Sequence, residues 1–578
     1  MKLRYLKIKN YPPLNDITIR FSSDSLLTDR QCAIQFVVGV NGSGKTHLLQ
    51  ALMETFAALA SQKPPRFPVT LVYDLGEGSQ QRTLIFDHPG NTGNTGWWQS
   101  KKPRPSLSFS DYTEFQWLML IKIAGSQNEE WEALIADGAW PGESVGLPRT
   151  ILAYTTGDDT PWLDALKKEP SSDGINIISQ SFEYETTIER PAGWSRKKEI
   201  EEQEKQPVAE RTSNVEDLRK REHESIENVH GQDLVIFLTP TYLKFALLCV
   251  TLPLAMRELK QHKTDDEIHT FIDGLKQPSE KSEGLRRLLT EIGWVWPVTA
   301  SFSVNFQPDK WPQRLRQMIR PFFNAATTII REPEPSTKRH LFFDLKHKSR
   351  NDSVGFTGDK LLNLLGGNDA HPFDTFKLLV DLHRRGLIDD LDLTLRKTDP
   401  DEILLFDELS DGEQMYLGRM GLFHLMQGHH DALLLLDEPE THFNDKWKRE
   451  IVGIIDDVLK DTANDVLIAT HSAITLTDVF NDEIILLENV DGSARRIDIA
   501  STTFGADPSE VMVRLFGVPD SVGKRAMEWL DQRIKDDYWK PEQKDELIEL
   551  IKKVGPGFYR TELRAILKKL EKKNALSD

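Results

Sequence analysis

The first ten residues, MKLRYLKIKN, alternate apolar and polar positions, and residues 17–21 do the same. The chain therefore predicts two antiparallel strands, followed by a continuous apolar strand at 34–38. A helical spacing of apolar residues runs to about residue 60, where Pro64, Pro65 and Pro68 end it. Two β-rich stretches, 69–74 and 81–86, flank Gly76-Glu77-Gly78 and predict a hairpin. Residues 114–136 read as mostly helical. A buried strand is predicted at 150–154, ending in Thr155-Thr156-Gly157-Asp158-Asp159. Ligands are met at strand ends of parallel sheets, so this turn is expected to face a bound molecule. The longest apolar stretch, 234–256, is broken by Pro240, Lys244 and Pro253 and predicts a buried strand and then a helix, with no membrane span. Residues 241–395 read as largely helical, with interruptions at Pro253, 294–297, Pro308 and Pro312 and a linker at 331–335. Strand patterns return at 391–395 and 403–406. A helix is predicted up to Met426, then strands at 432–436 and 466–469, then helices at 526–534, 544–553 and 561–573.

The strand at 34–38 leads into Gly39-Val40-Asn41-Gly42-Ser43-Gly44-Lys45-Thr46. This is a complete G-x-x-x-x-G-K-T between a strand and a helix, the context in which that spacing cradles phosphate. Backbone N–H groups of Asn41, Gly42, Ser43 and Gly44 form an anion nest at the helix start. Lys45 is expected on the β- and γ-phosphates of ATP, and the Thr46 hydroxyl on Mg²⁺. The strand at 432–436 contains four consecutive leucines, so it belongs in the centre of a sheet covered on both faces. It ends in Asp437-Glu438-Pro439-Glu440, and the strand at 466–469 ends in Thr470-His471-Ser472.

Size and composition narrow the class. A chain of 578 residues exceeds one core. The expected stretches are 1–90 (first nucleotide-binding lobe), 91–235 (mixed insertion with a charged segment at 194–228), 236–390 (mainly helical insertion), 391–504 (second lobe) and 505–578 (helical docking or oligomerisation region). The N-terminus reads as a strand and not as a signal peptide. Cys32 and Cys249 sit in apolar surroundings, which fits packing roles in a reducing cytoplasm. A net charge of −18 opposes nonspecific nucleic-acid binding over the whole surface but leaves room for a local basic track. Trp97 and Trp98 beside Lys101, Lys102 and Arg104 form one aromatic-basic candidate, weighed against a partly buried aromatic pair.

A phosphate loop, then Leu409-Ser410-Asp411-Gly412-Glu413 opening a helix, then an apolar strand with D-E-P, then T-H-S resembles the ATP-binding-cassette (ABC) ATPases. The resemblance implies an α/β P-loop ATPase head in which Asp437 joins Thr46 on Mg²⁺ and Glu438 polarises the attacking water. It also implies that His471 contacts the γ-phosphate, and that Ser410 and Gly412 cap the γ-phosphate of a nucleotide held by another subunit. The distance between Lys45 and Ser410 implies a head split by a large insertion, similar to the RecF, structural-maintenance and overcoming-lysogenization-defect (OLD) ATPases. Asp437-Glu-Pro-Glu-Thr-His-Phe-Asn444 looks like the OLD and RecF side. Closer still, the start MKLRYLKI and residues 154–157, 233–248 and 504–510 resemble restriction-system-associated AAA ATPases and the ATPase subunits of PARIS and Septu anti-phage systems. That implies homodimers or higher oligomers, a separate nuclease or effector, and a DNA or phage-derived trigger left open. A RecF-like DNA-repair clamp and an OLD-type nuclease-ATPase are the alternatives. The glutamine that cassettes carry after the loop helix is not selected among Gln80, Gln81, Gln99 and Gln116.

Overall fold

The computed structural model describes residues 1–21, 31–60, 65–77, 81–88, 118–123, 132–133, 146–166, 234–260, 289, 293–307, 311–347, 356–397, 402–518, 522–535 and 538–574. The aromatic-basic candidate at 97–104, the charged segment 194–228, and Gln80, Gln99 and Gln116 lie outside them. Two units are separable, Met1–Ile499 and Ala500–Asp578.

The first unit starts with β1 (Lys2–Tyr11), β2 (Leu14–Arg20), β3 (Ala33–Val38) and α1 (Lys45–Ala60). Then come β4 (Val69–Leu75), β5 (Arg82–His88), β6 (Leu118–Ile123), β7 (Glu132–Ala133), β8 (Thr150–Thr155) and α2 (Thr160–Leu166). After β9 (Val235–Phe237) and α3 (Pro240–Leu259) come β10 (Trp294–Asn305), α4 (Gln313–Ala325), β11 (Thr328–Arg331) and β12 (Lys338–Asp344). Next are α5 (Thr357–Leu364), α6 (Pro372–Arg384), β13 (Asp390–Lys397), β14 (Ile403–Leu405) and α7 (Asp411–Leu425). The unit closes with β15 (Ala432–Asp437), α8 (Asp445–Leu459), β16 (Asp465–Thr470), α9 (Ala473–Leu476), β17 (Ile484–Val490) and β18 (Ser493–Ile497).

These strands form three sheets. The central one has seven strands in the order β18-β17-β3-β16-β15-β8-β9, and β17, β3, β16, β15, β8 and β9 run parallel. All six residues of β15 and of β16 are buried, as a strand covered on both faces requires. Leu433, Leu435, Leu467 and Ala469 share one core with the apolar face of α1 and with the second, antiparallel sheet, β2-β1-β4-β5-β6-β7. Cys32 and Cys249 are buried free thiols.

Two expectations are corrected. Residues 114–136, read as mostly helical, contain β6 and β7 instead, because Leu118–Ile123 pairs in antiparallel register with β5 (Arg82↔Ile123, Phe86↔Met119). Available pairing outweighs the local preference of a Leu- and Met-rich run. The stretch 241–395 does contain α3 to α6, but it also supplies most of a five-stranded antiparallel sheet, β11-β12-β10-β13-β14. In β10, Ala300, Phe302 and Val304 are all buried on one face. Pro297 disguised this strand. Proline is tolerated in sheets at bulges, and the β10–β13 register does shift at Pro297. The linker at 331–335 is the turn joining β11 to β12.

Helix α7 lies unusually close to α3. A Cβ added to Gly421 would stand 3.0 Å from the Leu247 Cα, and one on Gly418 2.9 Å from the Leu247 neighbour one turn earlier, the Cβ of Leu243. Lys244, 5% exposed, is paired by Asp407 at 3.0 Å and Asp390 at 3.4 Å, which joins α3 to β13 and to the segment just before Ser410. The insertion is thus packed into the head through backbone contact and a buried ammonium.

The second unit holds α10 (Pro508–Phe516), α11 (Lys524–Arg533), α12 (Lys544–Lys553) and α13 (Phe558–Asn574). Its core gathers Leu530, Trp539, Leu547, Ile551, Tyr559, Leu563, Ile566 and Leu570.

Gly421→Val is expected to force α7 from α3 and destabilise the first unit by about 1–3 kcal/mol. The check is a thermal or urea unfolding midpoint clearly below that of the unaltered chain.

Candidate nucleotide site

The parallel register brings the motif residues to one edge. Val38 pairs with Thr470, Ala469 with Asp437, and Asp437 with Thr155. The phosphate loop, Asp437, Glu438, His471 and the end of β8 therefore all leave the same side of the sheet.

In the loop, Gly42 and Gly44 have φ of +80° and +97°. Gly44 also has no room for a side chain, since a Cβ would meet Ala494 at 3.0 Å and Leu14 at 3.1 Å. A Cβ on Gly42 would meet nothing within 4 Å, so only its backbone conformation demands glycine there. Asn489 of β17 donates to the Gly42 carbonyl at 2.9 Å and holds the loop from behind. Lys45 is buried, and its ammonium donates to the carbonyls of Gly39 (2.9 Å) and Val40 (3.3 Å). Burial lowers its pKa, while the carboxylates of Glu438, Asp437 and Glu440 oppose that shift.

Thr46 donates to both oxygens of Asp437 at 3.0 and 3.1 Å, and Thr155 donates to Asp437 Oδ2 at 2.9 Å. Burial pushes the Asp437 carboxyl above its ordinary range, against these hydroxyls and Lys45. Two hydroxyls and a buried carboxylate form a hard-oxygen donor set that fits Mg²⁺. Thr155 was anticipated only as part of a turn facing the ligand.

Glu438 adopts φ +51°, and Oε1 meets His471 Nδ1 at 2.7 Å. That bond is the chief cause holding the Glu438 carboxyl below its usual value, and it raises the His471 imidazole above its own. The charged pair is therefore complete between the ordinary values of 4.5 for the carboxyl and 6.5 for the imidazole. It weakens as pH rises through the raised imidazole value, and again as pH falls through the lowered carboxyl value. Glu440 is buried and accepts from the Thr470 hydroxyl.

Arg419 was missed by sequence reasoning, because an arginine in the middle of an apolar helix reads as a surface position. It is 1% exposed. From α7 it donates to the carbonyls of Pro439 and of Thr441 (3.0 Å) and to the Tyr154 hydroxyl (2.7 Å). Its guanidinium lies 5.0 Å from the Tyr154 ring and 4.9 Å from the Phe443 ring. One side chain thus ties the turn that follows Glu438 to the end of β8.

Ser410 and Gly412 are placed differently. Ser410 is the exposed N-cap of α7, in a reciprocal capping box with Glu413. Among the described residues, it makes no bond to the phosphate-loop group. Gln81 donates to Asp74 at 2.8 Å, within the β4–β5 hairpin region.

Residues 303–478 match the family model described as "AAA domain, putative AbiEii toxin, Type IV TA system". The chain is 22% identical over 277 residues to the "Retron Vc95 probable ATPase" of Vibrio cholerae serotype O1 biovar El Tor, a match covering 43% of this chain and 49% of that protein. The chain thus spans about half the length of the curated relative it matches. Among solved structures, the SMC head domain from Thermotoga maritima gives a TM-score of 0.28 at 12% identity, covering 87% of this chain and 100% of that one. The SmcHead bound to the C-winged helix domain of ScpA gives 0.29 at 10% identity, covering 86% and 97%. The motif geometry is that of a P-loop nucleotide site, and the partial matches are to an AAA domain model and to a retron ATPase.

Two outcomes are expected. Arg419→Ala should lower the thermal midpoint by several degrees, in line with the loss of charge-assisted bonds of about 1.5–3 kcal/mol each, and Tyr154→Phe should do so by less. In an NMR titration, His471 should show a midpoint above 6.5, and Glu438→Gln should move it down.

Proposed function

We propose that the chain is an ATP-hydrolysing switch in a bacterial anti-phage defence complex, where it controls a separate nuclease or effector. The observation that carries this reading is the convergence of Lys45, Thr46, Asp437, Glu438 and His471 on one sheet edge. The similarity to a retron ATPase, and to a model whose description names a toxin–antitoxin system, is consistent with a defence role.

The contacts support the following roles. Lys45 leaves its loop carbonyls to neutralise the β- and γ-phosphates. Thr46 and Asp437 hold Mg²⁺, and Thr155 keeps the Asp437 carboxylate oriented. When bound, the metal neutralises charge on the phosphate oxygens. Glu438 stays ionised, because its hydrogen bond to His471 lowers its pKa, and it orients the attacking water. His471 spends Nδ1 on Glu438, which leaves Nε2 for the γ-phosphate. Arg419 fixes the loop between these groups and couples it to α7.

Ser410, exposed, and Gly412, half-buried, at the start of α7, complete the site of a second copy. Their helix N-terminus is suited to a phosphate, so ATP clamps two heads together. Among the described residues no helix is long and apolar enough to cross a membrane, and the switch is proposed to act in the cytoplasm.

Glu438→Gln should cut ATP turnover by about 100-fold or more, within the range that a positioned general base contributes. It should retain ATP binding, accumulate ATP-bound dimers in sedimentation, and abolish protection from phage. Lys45→Ala should lose ATP binding itself. Turnover and protection at the unaltered level in Glu438→Gln would refute the proposal.

A further inference from the structure

A cationic helix without an acidic residue lies far along the sequence from the phosphate loop. Helix α4 carries Arg314, Arg316 and Arg320 and no acidic residue, in a chain with a net charge of −18. The stretch 311–347 contains seven Lys and Arg against three Asp and Glu. The buried face of α4, Ile319 and Phe322, packs inward, while Arg316, Arg320 and Asn324 are exposed. These three are four residues apart, about 6 Å along a helix.

Helices α4 and α5 pack together and leave an open groove of about 500 Å³ between them. Arg320 and Lys360 face it, with the amides of Gln317, Asn324 and Asn363, and among the described residues no carboxylate lines it. Cations and amide donors without an acid make a lining for anionic oxygens. Partly exposed aromatics lie near α4 in sequence. Trp311 lies 5.6 Å from the Phe306 ring, Phe323 5.0 Å from the same ring, and Arg339 covers it at 5.8 Å. A basic track that follows the phosphates is the sequence-independent part of strand binding. Arginines one helical turn apart, about 6 Å, are spaced to reach neighbouring phosphates of one strand.

We infer that the groove between α4 and α5 binds the phosphate backbone of a nucleic-acid strand. The site is separate from the nucleotide site and needs no ATP hydrolysis.

The test uses the full chain and three fluorescein-labelled probes: a 20-nucleotide single-stranded DNA, the RNA of the same sequence, and a 20-base-pair duplex. Anisotropy is recorded from 50 to 300 mM KCl. Binding of at least one probe, weakening with salt, is expected, and the comparison says which strand type the groove takes. Arg316→Glu with Arg320→Glu should weaken binding at least 10-fold and flatten the salt slope by about 1.4 on a single strand. Arg316→Lys with Arg320→Lys should retain binding, and Lys552→Glu with Lys553→Glu, in the second unit, should leave it unchanged. Both arginines are exposed, so an unaltered thermal midpoint separates lost binding from lost fold. Lys45→Ala should bind the probes normally, so failure of the ATPase proposal and failure of this one are told apart. The inference falls if no probe binds, if charge reversal leaves binding intact, or if inorganic phosphate at matched phosphate concentration displaces the probe completely.

Discussion

The parallel hydrogen-bond register of β3, β16, β15 and β8 is the constraint on which the site depends. It sets Val38 beside Thr470, Ala469 beside Asp437 and Asp437 beside Thr155. A slip of one residue in any of these strands would turn its side chains to the opposite face and carry a motif residue away from its partners. The slip is opposed by burial, because Leu433 to Leu436 are all at most 1% exposed and both faces of the sheet are covered. Chemistry at the edge is thus held in place by apolar packing in the middle.

Much of this was legible in the amino-acid pattern, for a physical reason. The phosphate loop, Asp437, Glu438 and His471 each follow a continuous apolar strand, and such strands announce themselves without reference to distant partners. The hairpin β4–β5 and the helices α11 to α13 of the second unit were readable on the same local grounds, whereas α10 was not. What escaped reading depended on long-range pairing. Strand β6 forms because β5 offers it an edge, and β10 accommodates Pro297 at a register shift that only its partner β13 reveals. Arg419 escaped because its burial depends on carbonyls some 20 residues later and a phenol more than 260 residues earlier. No local pattern encodes such a meeting.

The insertion is not an appendage hung from the head. Gly418 and Gly421 bring the backbones of α7 and α3 together, and the Lys244 ammonium bridges to Asp390 and Asp407. Helix α5 in turn rests on α3, where a Cβ on Gly358 would collide with the Met256 thioether. The floor of the α4–α5 groove is therefore only two helix contacts from the helix that begins at Ser410. Packed interiors transmit displacement rather than absorb it, so α5, α3 and α7 form a continuous solid path between the groove and the nucleotide site.

The end of β8 serves two masters with adjacent residues. Tyr154 turns to one face of the sheet and receives Arg419, while Thr155 turns to the other and holds Asp437. Because alternate residues of a strand point oppositely, a single backbone segment ties the arginine that shapes the loop to the hydroxyl that aims the carboxylate. Substitutions at 154, 155, 419 and 437 should therefore be epistatic, the effect of one set by which residue occupies the others. Natural variation at these four positions should travel together, as a linked block, even though they are spread over nearly three hundred residues of chain.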